Sequence, residues 1–258
     1  MINFVVSTLE NVIPTEKNGM VKSEIIDLIQ QLKAKDINFC VATSKNYDAV
    51  KDIFGPVKAD IVYICNEGGV VIHHDKVISK TPVDRLVCYE VSSEFEDMLD
   101  YDVVFSGERN AVVTRQSSFL MQKLRNMGIE PEILNSTKDM SGEITKVTIF
   151  AKKGLSEEDF AKYYGRWENK AHFSATNEQE AFLTGEYVSK GTALAVVQQV
   201  YDISEEDTVV FGNGFSDIEM FDHSFYSYAL QSADAQVKNS AKHITEDIKT
   251  IMEDIIRM

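Results

Sequence analysis

Apolar residues return along this chain in two rhythms, and the alternation between them predicts its elements. Residues 2–6, Ile-Asn-Phe-Val-Val, form a short apolar run that reads as a strand. From Met20 to Lys33, the residues Met20, Ile25, Ile26, Leu28, Ile29 and Leu32 make one apolar stripe with charges between them, the signature of an amphipathic helix. INFCVATSK, 37–45, predicts a strand running into a polar turn. Tyr47 to Ile53 predicts a short helix closed by Gly55-Pro56. ADIVYICNEGG, 59–69, predicts another strand, ending in a glycine pair. Strand and helix in alternation imply a parallel sheet with crossover helices.

The same rhythm returns at the end. Lys190–Tyr201 reads as a helix, DTVVFG (207–212) as a strand and Asp217–Phe221 as a short helix. YSYAL (226–230), Ala233–Ser240, His243-Ile244 and Ile248–Met258 continue as strand, helix, strand and helix. The middle differs. Helices are predicted over Pro82–Met98, Ser118–Met127 and Ser156–Asn169. DVVFSGERNAVVTR (102–115) reads as two strands around a Gly-Glu-Arg-Asn turn. EITKVTIF (143–150), HFSAT (172–176) and EAFLT (180–184) read as further strands. The expected architecture is an α/β core domain over 1–80 and 183–258. An α+β cap domain is inserted over 81–182, with its helices on one face of antiparallel strands.

Composition narrows the partners. Of 258 residues, 44% are apolar and 26% charged, enough for a sizeable core and too apolar for a disordered chain. The 26 basic and 41 acidic residues give a net charge of -15, which opposes non-specific binding to a nucleic-acid backbone. Cys40, Cys65 and Cys88 are odd in number and widely spaced, so neither a disulfide framework nor a thiolate zinc site is expected. The start, MINFVV, lacks the basic and long apolar regions of a signal peptide, and no apolar run reaches the ~18 residues of a spanning helix. A cytoplasmic protein with no membrane or nucleic-acid partner is the expectation.

In an open parallel sheet the ligand lies beyond the carboxyl ends of the strands. Ser7–Asn11, Thr43–Lys45, Asn66–Gly69 and Gly212–Asp217 fall there. Thr43 and Ser44 offer hydroxyl and N–H donors suited to an anion, and Ser44 or Asn46 equally suits a plain helix cap. Lys190 opens a helix, where its charge opposes the helix dipole, so it serves either a pocket or the surface rather than helicity. Asp217 suits a helix N-terminus, a metal or a lysine partner. His73 and His74, adjacent in a strand, are expected on opposite faces, in a solvent or turn role. His172, His223 and His243 are scattered and form no HExxH pattern. Tyr163 and Trp167, four apart on one helix, suit a cap core or subunit contact, or a stacked substrate. Glu108 and Arg109 mark a hairpin tip.

VSKGTAL (188–194), followed about twenty residues later by VVFGNGFSDIEMF (209–221), is similar to the later motifs of the haloacid dehalogenase (HAD) superfamily. FCVATSK (39–45) resembles that superfamily's second motif, and YICNEGG (63–69) the Asn-Gly stretch before the cap in its Cof-type branch with a type IIB cap. SADAQVKNSAKHIT (232–245) resembles the usual ending. The resemblance is strong over 1–75 and 183–258, and by element pattern alone in the cap. It implies a Rossmann-like core with an inserted cap. It also implies magnesium-dependent hydrolysis of sugar phosphates and similar phosphoesters, with Thr43, Ser44 and Lys190 holding phosphate and Lys45 as a further cation.

The departures lie at the chemistry. The superfamily's first motif carries a nucleophilic aspartate and, two residues on, an acid/base aspartate. Ser7 and Leu9 take those positions here, and Asn11 replaces a phosphate-binding threonine. Asn213 replaces a metal-binding aspartate, and Ser216 precedes the retained Asp217. Magnesium takes about six oxygen ligands with carboxylates among them, so Asn213 and Asp217 make a weak metal site. Glu10 has no positional warrant to reach inward. Serine is a poor nucleophile without a base. The expectation is a Cof-type relative that has lost phosphatase activity, needs no cofactor, and binds a small phosphorylated metabolite or another anion. The alternative is a magnesium-dependent phosphatase of sugar phosphates or small phosphoesters with atypical site residues. A third reading is an interaction protein that uses only the fold.

Overall fold

The computed structural model describes residues 2–258. The chain opens with β1 (Phe4–Thr8), α1 (Ser23–Ala34), β2 (Asn38–Ala42), β3 (Ile61–Cys65), β4 (Val70–His73) and β5 (Lys76–Lys80). The middle follows as α2 (Arg85–Phe95), β6 (Tyr101–Ser106), β7 (Ala111–Val113), α3 (Ser118–Asn126), β8 (Glu132–Ile133), β9 (Lys146–Ala151), α4 (Glu157–Trp167), β10 (His172–Asn177) and β11 (Glu180–Thr184). The chain closes with α5 (Lys190–Tyr201), β12 (Thr208–Gly212), α6 (Ile218–Phe221), β13 (Tyr226–Leu230), α7 (Ala235–Ser240), β14 (His243–Thr245) and α8 (Ile248–Arg257).

Two compact units result. The first holds the chain up to Ser44, Val50–Ser79 and Ser189–Met258, and the second Lys45–Ala49 and Lys80–Val188. The return to the first unit comes at Ser189, beyond the 182/183 border expected from sequence. β11 spans that border and pairs along its length with β9.

The first unit is built on an eight-stranded sheet in the order β14-β13-β12-β1-β2-β3-β4-β5. From β14 to β3 the neighbours are parallel, and β4 turns back antiparallel on β3. All five residues of β1 are buried, as a central strand covered on both faces requires. Phe4 and Val6, two apart and so on one face, pack with Cys40, Val62 and Val210 against Ala193, Leu194 and Val197 of α5. α1 and α8 pack together, burying Ile25, Ile29, Leu32, Ile248 and Met252.

The second unit is a six-stranded sheet in the order β10-β11-β9-β6-β7-β8. It is antiparallel except between β7 and β8. α2 and α4 supply Val87, Val91, Phe95, Tyr163 and Trp167 to a core with Phe105, Val147 and Ile149. The rings of Tyr163 and Trp167 stack with centroids 5.6 Å apart, and both are buried, which is the core role. The expected single helical face needs correction. α3 packs Leu120 and Leu124 with Val104, Val113 and Phe150, the opposite face of the same strands. β6 alternates Val104 and Phe105 between two apolar environments, so both faces need cover.

Two local expectations also change. In place of the helix expected over Tyr47–Ile53, two short 3-10 turns lie within Lys51–Asp60, and the backbone breaks between them at Gly55, where the stop was expected. Gly55 takes φ 52° there, a kink that glycine permits, and Pro56 restarts the turn. His73 and His74 do not point apart. His74 has φ 50°, which breaks the strand alternation, and the two rings stack at 3.8 Å. His73 Nδ1 lies 2.5 Å from the Tyr201 hydroxyl, and burial, helped by His74, lowers its pKa.

Candidate functional site

The carboxyl ends of β1, β2, β3 and β12 meet at one edge of the first sheet. Register pairs Ser7 with Val41 and with Phe211. Backbone bonds then carry the alignment past the strand ends. The Leu9 N–H donates to Ala42 O, the Thr43 N–H to Ile64 O, and the Glu67 N–H to Thr43 O. Ser7, Thr43, Glu67, Lys190 and Asp217 are all buried beside these ends.

The loop after β3 is held in an uncommon conformation. Asn66 and Glu67 have φ 53° and 58°, left-handed values that cost of order 1–3 kcal/mol for a residue such as glutamate. Gly68 follows at φ 99°, and a Cβ there would stand 2.1 Å from Ser189 O. The loop therefore presses against the start of α5, where Ser189 and Thr192 form a reciprocal capping box. That contact brings Glu67 Oε2 to 3.2 Å from Lys190 Nζ.

Lys190 Nζ donates to Asp217 Oδ1 at 2.9 Å and to Ser216 Oγ at 3.0 Å, while Glu67 Oε2 is an ion-pair contact without a hydrogen bond. Burial works against the ammonium. Asp217, Glu67 and Glu10 outweigh it and hold its pKa above the ordinary lysine value. Burial likewise works against the Asp217 carboxylate, but Lys190 and the N–H groups of Gly214 and Asn213 keep its pKa below the usual range. Those N–H groups each reach Asp217 Oδ2 at 2.9 Å. Gly212 leaves room for this turn, since a Cβ there would come within 2.8 Å of the Asp217 Cβ.

The positions expected for chemistry are occupied as follows. Ser7 Oγ donates to Thr8 O at 3.0 Å, and Leu9 is buried. Asn11 is exposed with φ 60°. Asn213 Oδ1 accepts from Ser232 Oγ at 3.2 Å. Lys45 falls in the segment 45–49 that belongs to the second unit. There Arg109 lies over the Tyr47 ring at 5.0 Å and 3.6 Å from Asp48.

Glu10 is the residue that sequence reasoning missed. Its Oε1 accepts from Thr43 Oγ1 at 2.5 Å, from Ser44 Oγ at 3.1 Å and from the Ser44 N–H at 3.3 Å. The carboxylate thus sits on the hydroxyls expected to hold phosphate. The available signal was its charge, one residue beyond the acid/base position. No helix or strand period governs that turn, so nothing in the pattern gave its direction.

Magnesium does not fit this donor set in the way the fold family uses it. Positions 7 and 213 offer a hydroxyl and an amide instead of carboxylates. Both Asp217 oxygens are engaged by Lys190 and by backbone N–H groups. Among the described residues, no group of three or more His, Cys, Asp or Glu side chains is arranged to hold a metal.

Comparison with known proteins gives a consistent picture. The family model for haloacid dehalogenase-like hydrolases matches residues 8–250. The 5-amino-6-(5-phospho-D-ribitylamino)uracil phosphatase of Escherichia coli is 22% identical over 223 residues, 83% of this chain and 79% of that protein. A HAD subclass IIB sugar phosphatase superposes with a TM-score of 0.84 at 18% identity, covering 98% of each chain. A haloacid dehalogenase-like hydrolase from Bacteroides thetaiotaomicron does so at 0.83 and 15%, covering 99% of this chain and 100% of its own.

Proposed function

Because the chain belongs to the haloacid dehalogenase-like hydrolase family, close to its Cof-type, IIB-capped phosphatases, we propose that it keeps an anion-holding site without the phosphoryl-transfer chemistry. The observation that carries this reading is the state of Ser7. Its hydroxyl donates to the next residue's carbonyl, and among the described residues it has no hydrogen bond to a base. A serine attacks phosphorus only when a base takes its proton. Leu9, at the acid/base position, has no proton to give or accept. The loss of both groups removes more than the 10²–10⁴-fold that a positioned acid/base group typically contributes.

The remaining donors suit a small phosphorylated metabolite or a similar anion. Thr43 and Ser44 offer two hydroxyls and an N–H, and Lys190 a charge held firmly on its nitrogen. Hydrogen bonds from such donors to a phosphate are charge-assisted, about twice as strong as neutral ones. The E. coli relative is named for a substrate that carries a phosphate on a small organic group. The test is intact mass after incubation with a phosphoester panel and an acid quench. The expected result is unmodified protein with and without magnesium. An acid-stable phosphoryl adduct on Ser7 overturns the proposal.

A further inference from the structure

The Glu10 carboxylate does in this site what an external oxyanion would do. One oxygen accepts from both hydroxyls and the N–H of the Thr43–Ser44 turn. The other, Oε2, is shut off from solvent with no hydrogen-bond partner. The same charge adds to those that raise the Lys190 pKa, so Glu10 acts on all three residues read as the phosphate holders. A carboxylate and a phosphate monoester share the property this turn recognises, a negatively charged oxygen that accepts several short hydrogen bonds.

We infer that Glu10 is a tethered anion filling the cradle, and that a free phosphate or phosphate monoester enters only by displacing it. The inference rests on the reading of Thr43, Ser44 and Lys190 as an anion site. Two observations say why the two cannot share the space. Three carboxylic side chains, Glu10, Glu67 and Asp217, surround one amine, and that amine is already in contact with Glu67 and Asp217. Glu10 adds one negative charge to the two carboxylates already paired with that amine, so an arriving phosphate meets stronger repulsion while Glu10 stays. Moreover, the hydroxyls of Thr43 and Ser44 point at Glu10 Oε1, so the anion must take them over.

The tether is short and its anchor is fixed. Leu9 is buried, and its N–H is bonded to Ala42 O. Even a flexible short tether gives an effective concentration on the order of millimolar. A competitor of equal intrinsic affinity must therefore reach about that concentration to displace it. Release needs no refolding of β1, because Glu10 lies in the turn beyond that strand and is itself only partly buried. The arrangement makes Glu10 an autoinhibitory contact that sets the concentration at which this site responds to phosphate.

The experiment is calorimetric titration of inorganic phosphate into the full chain and its Glu10→Ala, Glu10→Gln and Glu10→Ala/Thr43→Ala variants, with unfolding midpoints checked first. Glu10→Ala is expected to bind at least tenfold more tightly than the parent. Glu10→Gln, which keeps the acceptor oxygen without the charge, should fall between them, and it carries the comparison should Glu10→Ala fold poorly. The gain should vanish in the double variant. Equal affinity in parent and Glu10→Ala overturns the inference and leaves the anion site standing. Phosphate binding in neither overturns both. A gain that survives Thr43→Ala places the phosphate elsewhere and overturns the inference. A magnesium titration closes the remaining route: magnesium binding to the parent that Glu10→Ala abolishes, with phosphate binding unchanged, makes Glu10 a cation ligand instead.

Discussion

Lys190 is a buried cation enclosed by two carboxylates and a hydroxyl, and its removal leaves those carboxylates without their counter-charge. Breaking a buried pair by deleting one partner typically costs about 3–5 kcal/mol. Lys190→Ala should lose stability in that range in urea denaturation, and a loss under 1 kcal/mol would show that the cluster is not a closed ion pair. The pH dependence follows from the directions of the shifts. Asp217 titrates lower in the folded chain than unfolded, so its contribution is complete above the unfolded value of about 3.9 and drains as pH falls through the depressed folded one. Lys190 titrates higher when folded, so its contribution is complete below about 10.4 and is lost as pH rises through the raised value. The stability gap between the parent and Asp217→Asn should therefore stay flat from about pH 5 to 9 and close below about pH 4. A gap that widens on acidification contradicts the pairing. Motif order and spacing alone assign Ser7, Leu9 and Asn213 to the family's carboxylate positions, and the proposed loss of chemistry rests on that assignment. The place of Glu10 was not legible in the sequence, because a turn side chain's direction depends on tertiary neighbours rather than on any period.

The loops that end the strands do the positioning, and each relies on a local backbone device. Gly68 holds a positive φ while pressed against Ser189 O. Alanine there is both strained and overpacked, and overpacking alone typically costs about 1–3 kcal/mol. Gly68→Ala should show at least that loss by chemical denaturation, and a neutral result would contradict the close approach. Ser189 caps α5 through the Thr192 N–H. Ser189→Ala should cost about 1 kcal/mol, the usual value of such a cap, and an unchanged unfolding midpoint would argue against it. Element type was readable wherever a period ran for several residues, as in α1, α5 and β9. It failed where one residue in a left-handed conformation reset the direction. Gly55 separates two 3-10 turns where one short helix was expected, and His74 turned its ring onto His73. The two-residue β8 was too short to leave a pattern.

The two-unit architecture follows from the switch between rhythms in the sequence. A parallel sheet is interrupted by antiparallel strands, and the apolar stripes of their helices supply a second core. Alternation along β6 already required cover on both faces, which α3 provides. In the second unit Trp167 is fully buried among Phe95, Tyr163 and Phe173. Trp167→Ala should cost about 3–5 kcal/mol, read by denaturation, while a loss near zero would contradict its core role. For the molecule as a whole, the family's fold persists, and on the proposed assignment a hydroxyl, an aliphatic chain and an amide stand where the family carries carboxylates. The most direct test of that account is hydrolysis of a broad phosphoester panel by rigorously purified protein, with and without magnesium, beside Lys190→Ala. The account predicts no turnover above the variant under any condition. Turnover that requires both magnesium and Lys190 would contradict it, since another group would then be supplying the missing nucleophile and metal ligands.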